Sequence, residues 1–170
     1  MGPWKAFSVC GAVWACAVTA IPTNAKDGFW HGTWGAAPQA PLSQMADVSV
    51  PNLRDKTIRQ IVRISAGGDQ IRLRLSNELS SQPHALGSVV VAIALPNGRI
   101  RQETLRHVTF GGMQSTTLSA GAPILSDPIN LDVAAGTDLA ITIYFPQDAS
   151  ELTAHSSAYA TAWVQDDDQS

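Results

Sequence analysis

The sequence predicts an all-β protein, an antiparallel β-sandwich or jelly roll of about 7–9 strands. Three observations lead there. Apolar residues alternate with polar ones at a period of two in several short runs. Gly, Pro, Asn and Asp punctuate the chain between those runs. No stretch beyond the N-terminal leader carries a helical period, and many short strands separated by such turns are the signature of a sandwich or barrel.

Thr57 to Ser65 places Ile58, Val62 and Ile64 on one face. Ile71, Leu73 and Leu75 alternate with Arg72 and Arg74, a half-buried strand. Ala66-Gly67-Gly68-Asp69 lies between the two runs and predicts a β-hairpin with a glycine-based turn. Ser88 to Leu95 (SVVVAIAL) is almost continuously apolar, as a strand covered on both sides would be, and it ends at the turn signal Pro96-Asn97-Gly98. Strand character resumes at Arg99, and His107 to Phe110 leads into Gly111-Gly112. Thr116 to Leu118 is short and β-prone, and Ser119 to Pro123 breaks the chain again. Ile129 to Val133 follows, then Leu139 to Phe145 with Leu139, Ile141, Ile143 and Phe145 facing one way, and last Ala158 to Val164. Ala36 to Asn52, with Pro38, Pro41 and Pro51, predicts an extended loop.

The chain divides into a secretory signal at 1–25, a β module at 26–165 and a polar, acidic tail at 166–170 that should fray. The leader has a basic start at Lys5, an apolar run from Ala6 to Ile21 and a small-residue exit at Thr23-Asn24-Ala25. Its apolar run is shorter than the roughly 20 residues a membrane span needs, so no span is expected after cleavage and the module is expected to be secreted or periplasmic. Cys10 and Cys16 both fall in the leader. The exported module therefore relies on its core alone, which a chain of this length can provide.

Without the leader, ten basic residues face 14 acidic ones, a net charge of −4 and the wrong sign for binding nucleic-acid backbones. Arg54, Lys56, Arg59, Arg63, Arg72 and Arg74 fall within 21 positions, but strand alternation accounts for that spacing and predicts the solvated face of a sheet. No cofactor is implied, because Gly67-Gly68 and Gly111-Gly112 lack the residues of a phosphate-cradling loop.

The same search yields no catalytic residue. There is no GxSxG block, Ser65 and Ser76 sit at strand ends, and Ser156-Ser157 follow His155 in a loop. His31, His84, His107 and His155 are each isolated, without a second ligand at zinc spacing, so no metal site is expected. The candidate ligand-binding group is Trp30, His31 and Trp34, where aromatic rings beside a polar side chain could form a platform for a sugar; both tryptophans in the core is the plainer alternative.

The order of segments resembles the N-terminal region of secreted bacterial GDSL/SGNH-family hydrolases. The residues that carry the resemblance are Thr33 to Gln39 (TWGAAPQ), Thr57 to Ser65 (TIRQIVRIS) and Ile71 to Glu78 (IRLRLSNE). It continues through Leu86-Gly87 with Val91-Ala92, Thr109 to Gly112 (TFGG), Ala120 to Pro123 (AGAP), Ser126 to Pro128 (SDP) and Leu139 to Pro146. The resemblance implies a β module that precedes an α/β/α catalytic domain, which would be its partner. That domain carries a Gly-Asp-Ser nucleophile block, oxyanion-hole Gly and Asn residues and a C-terminal Asp-x-x-His pair. None of these blocks occurs in this chain, and Gly68-Asp69-Gln70 has Gln where the serine would stand. The expectation is a non-catalytic accessory module of an esterase that acts on acylated carbohydrates or lipid-like esters, truncated before its catalytic domain. A stand-alone exported carbohydrate-binding jelly roll is the alternative.

Overall fold

The computed structural model describes residues 29–41, 52–155 and 161–170. Contacts separate a unit ending at Trp30 from one running from His31 to Ser170. Of the first unit only Phe29 and Trp30 are described, and both are exposed. The expected leader at 1–25, the middle of the proline-bearing loop and the start of the last strand lie outside the described residues.

The second unit is antiparallel β structure. Its strands are β1 (Lys56–Arg63), β2 (Gly68–Ile71), β3 (Arg74–Ser76), β4 (His84–Leu86), β5 (Val89–Ile93) and β6 (Arg106–His107). They are followed by β7 (Thr116–Leu118), β8 (Pro123–Leu125), β9 (Ile129–Val133), β10 (Asp138–Phe145) and β11 (Ala162–Asp166). The only helical pieces among the described residues are two 3-10 turns at Pro96–Gly98 and Gln102–Thr104. A five-stranded sheet has the order β11-β1-β10-β5-β6, and three two-stranded ladders pair β2 with β9, β3 with β8 and β4 with β7.

The predicted hairpin between Thr57–Ser65 and Ile71–Leu75 does not form. β1 pairs along all of its length with β10, from Lys56 opposite Phe145 to Arg63 opposite Asp138, and its other edge takes β11. β2 pairs instead with β9, Gly68 opposite Val133 and Ile71 opposite Ile129. The segment 66–69 thus carries the chain out of one sheet and into another ladder. Gly67 makes that passage possible, since a Cβ there would stand 2.9 Å from the Ala135 nitrogen and closer still to the Val133 carbonyl oxygen. Period-two alternation names the buried face of a strand but not its partner, and β10 lies 75 or more residues away.

Pairing continues past that passage. The arm from β1 to β4 runs antiparallel beside the arm from β10 back to β7, through four successive ladders. The expected strand Ile71–Leu75 is split into β2 and β3 at Leu73. There the ladder is bridged by the Ser126 side chain, whose Oγ accepts the Leu73 N–H at 3.0 Å while Ser126 N–H donates to the Leu73 carbonyl at 2.9 Å. β5 then lies along the free edge of β10, Leu139 opposite Ile93 and Ile143 opposite Val89.

Alternation decides what is buried. In β9, Ile129, Leu131 and Val133 are buried while Asn130 and Asp132 are exposed. These three pack with Val62, Ile64, Leu73, Leu86, Val89, Val91, Leu118, Leu139 and Phe145 in one cluster, joined by the partly buried Ile58, Ile141 and Ile143. Each such side chain contributes about 1.5–3 kcal/mol of burial. The near-continuous run in β5 is covered on both faces as expected, with Val89, Val90, Val91 and Ala92 all buried.

The tail is tied down rather than frayed. Asp166 is the last residue of β11, Asp167 N–H donates to the Asp55 carbonyl at 3.0 Å, and Thr57 Oγ1 donates to the Asp167 carbonyl at 2.6 Å. Ser88 Oγ donates to the Asp168 carboxylate at 2.8 Å.

Candidate functional site

Trp30, His31 and Trp34 are all exposed, with Trp30 at 50% and Trp34 at 55%. Trp34 lies on an extended strap fastened at both ends. Thr33 accepts the Ser65 N–H and the Ser65 hydroxyl on its carbonyl at 2.9 Å each, and its Oγ1 accepts the Ala66 N–H at 2.8 Å. Gln39 bridges to Ala154, and His155 Nδ1 donates to the Ala37 carbonyl at 3.0 Å. The aromatic is presented outward by a backbone that is held.

The other histidines are dispersed. His107 is exposed on β6. His84 is 5% exposed and hydrogen-bonded through Nε2 to Ser80 Oγ at 3.2 Å. A serine touching a histidine is the start of a nucleophile–base pair. Here the pair organises a loop: Ser80 is 4% exposed, its hydroxyl also donates to the Gln82 carbonyl, and Gln82 N–H returns to Ser80 Oγ. Among the described residues no three His, Cys, Asp or Glu side chains gather as a metal set would.

Segments far apart in the sequence meet two by two. Asp127 of Ser126–Pro128 accepts Thr109 Oγ1 at 2.7 Å and the N–H groups of Gly111 and Gly112 at 3.1 and 2.8 Å. Both glycines have positive φ, 61° and 80°, which their position in this turn requires. The Gly112 N–H and then the Thr109 hydroxyl hold the Asp127 carboxyl below the usual carboxylate range. Asn77, fully buried, takes the AGAP turn: its N–H donates to the Ala122 carbonyl, its own carbonyl accepts Gly121 N–H, and its Nδ2 serves Gln82, Leu118 and Ser119 carbonyls. Gly87 and Tyr144 pack ring on backbone. Each pairing locks a turn or a crossing.

A shallow hollow of about 250 Å³ opens on the five-stranded sheet, on the side away from the core cluster. Across the sheet Trp163, Arg59 and Thr142 stand side by side, Arg59 being opposite Trp163 on β11 and opposite Thr142 on β10. The guanidinium lies along the sheet: Nε donates to Thr142 Oγ1 at 2.8 Å and Nη1 to the Gly98 carbonyl at 2.9 Å. Partial burial lowers the Arg59 pKa. The Trp163 indole covers Gly98, where a Cβ would stand 2.7 Å from Cε2, so the Asn97-Gly98 turn must present bare backbone to the ring. Thr57, Asn97, Arg99 and Gln165 complete the wall, and a second hollow of about 410 Å³ lies on the same ring's Ile61 and Asp138 side.

Sequence reasoning missed this place. Arg59 reads as one cation of a solvated strand and Trp163 as part of a last, short strand. The Asn97-Gly98 turn was legible, but not that it folds over β1. No protein-family model and no curated protein matches this sequence.

Proposed function

We propose that this chain is the N-terminal accessory module of a secreted GDSL/SGNH-type esterase, a non-catalytic β frame for a separate catalytic domain. The observation that carries this reading is the spatial pairing of the collinear segments. Thr33 with Ser65, Asn77 with Gly121 and Ala122, Asp127 with Thr109 to Gly112, and Gly87 with Tyr144 are all contacts that set turns or crossings. Sequence shared for such reasons specifies a frame. Ester hydrolysis needs in addition an accessible nucleophile, a base and donors for the oxyanion. The buried Ser80–His84 pair is occupied by its own loop. Trp34, held outward on its strap, offers the kind of large amphipathic surface that interfaces favour.

The test has two arms. Residues 1–170 are assayed on short-chain aryl esters, and the coding sequence beyond the Ser170 codon is read and expressed with the module. The expected result is no turnover by the module, a Gly-Asp-Ser block in the extension, and hydrolysis by the extended protein that is lost when that serine is replaced. Turnover by residues 1–170 that a single serine substitution abolishes would overturn the reading, as would an unrelated downstream sequence.

A further inference from the structure

We propose that the hollow beside Trp163 is a binding site for a carboxylated sugar, such as a uronic acid unit of a polysaccharide. The proposal stands on this geometry alone and holds whether or not the module serves an esterase.

A pyranose ring has one face of C–H groups and an equator of hydroxyls. It is bound where an aromatic surface lies beside hydrogen-bonding side chains in a shallow, open site. Trp163 supplies the aromatic surface, and it borders both hollows, so saccharide units can lie on either side of it. Asn97 and Gln165 supply amides that each both donate and accept, and neither side chain forms a hydrogen bond among the described residues. Those groups suit sugar hydroxyls.

The charge decides which sugar. The 250 Å³ hollow is lined by two arginines, Arg59 and Arg99, and by no acidic side chain. Arg59 is already fixed by Thr142 and Gly98 through Nε and Nη1, and both hydrogens of Nη2 remain without a partner among the described residues. A guanidinium held in place loses little freedom when a carboxylate docks, and arginine suits the planar geometry of that group. Burial, which lowers the Arg59 pKa, reports the same partial desolvation that strengthens a charged contact. On the other side of Trp163 the Arg63 cation is already paired with Asp138 at 3.2 Å, so the second hollow carries balanced charge. An acidic unit therefore belongs on the Arg59 side.

The experiment titrates the purified protein with a trigalacturonate and, separately, with the neutral galactotriose, by calorimetry and by the indole N–H resonances. The Trp163 resonance is assigned through Trp163→Phe. Binding of the acidic trisaccharide, at least about tenfold tighter than the neutral one, is expected, with a shift of the Trp163 resonance and weakening as salt is raised. Trp163→Ala and Arg99→Ala should each lose at least about tenfold in affinity. Trp34→Ala should bind as the parent does, and melting curves establish that every variant is folded. Equal affinity for the two trisaccharides, no binding of either, or unchanged affinity in folded Trp163→Ala and Arg99→Ala overturns the proposal.

Discussion

Tyr144 closes over Gly87. A Cβ on Gly87 would overlap the tyrosine ring at Cδ1 and lie 3.1 Å from Cε1, and Gly87 N–H donates to the Tyr144 carbonyl at 2.9 Å. This crossing sets β4 against β10 just before β5 takes its place on the β10 edge. Gly87→Ala should therefore destabilise by about 1–3 kcal/mol, the range for an overpacked contact that must shift backbone or ring. Gly35→Ala, where nothing lies within 4 Å, is the control and should stay within about 0.5 kcal/mol. Equal melting temperatures for the two variants would mean that the ring has room to move.

What could be read from the sequence follows from what alternation encodes. Buried faces were legible: Ile129, Leu131 and Val133 in β9, the doubly covered Val89 to Ala92, and the core row of Leu139 to Phe145. So were the turns at Asn97-Gly98 and Gly111-Gly112, because positive φ leaves a mark in residue choice. Partners were not legible. The β1–β10 ladder joins residues 75 to 89 apart, and nothing local in Thr57–Ser65 distinguishes that edge from the nearer Ile71–Leu75. The Trp163 hollow was hidden for the same reason. It is built from β1, β10, β11 and the Pro96–Gly98 turn, whose proximity is a property of strand order.

Leu73 sits at the break between β2 and β3, 8% exposed and within the core cluster, although it belongs to neither strand. Leu73→Ala should cost about 2–5 kcal/mol. Arg74 is exposed and pairs with Glu78 at 2.9 Å, so Arg74→Ala should cost within about 1 kcal/mol. Chemical denaturation of both variants checks the assignment of faces. Similar losses would contradict it.

Asp127 links stability to acid. Its carboxyl, held below the ordinary range first by the Gly112 N–H and then by the Thr109 hydroxyl, is more acidic folded than unfolded. Its contribution is therefore fully present above the unfolded pKa of about 4 and is lost as pH falls through the lower folded value. Asp127→Asn should melt below the parent at neutral pH, and the gap should narrow as the solution is acidified past that range. A gap that is constant from neutral pH into acid would show that the charge of Asp127 has no part in holding the Gly111-Gly112 turn.

Tyr144 gives the opposite dependence. Its hydroxyl donates to Asp55 Oδ1 at 2.5 Å, and this hydrogen bond, together with desolvation and the negative charges of Asp55, Asp168 and Asp167, pushes its pKa up to about 12. The folded protein holds the phenolic proton more tightly than the unfolded chain does. The stabilisation is complete below the unfolded pKa of about 10 and is lost as pH rises through about 12. Tyr144→Phe removes the link between β10 and the residue preceding β1, and it should melt below the parent at neutral pH, with a difference that shrinks in strong alkali. The sequence has two tyrosines, so ultraviolet titration of phenolate absorbance separates them. The parent should show a late step near pH 12 that Tyr144→Phe lacks. Ionisation of both tyrosines together near pH 10 would mean that Asp55 does not hold the Tyr144 proton in solution.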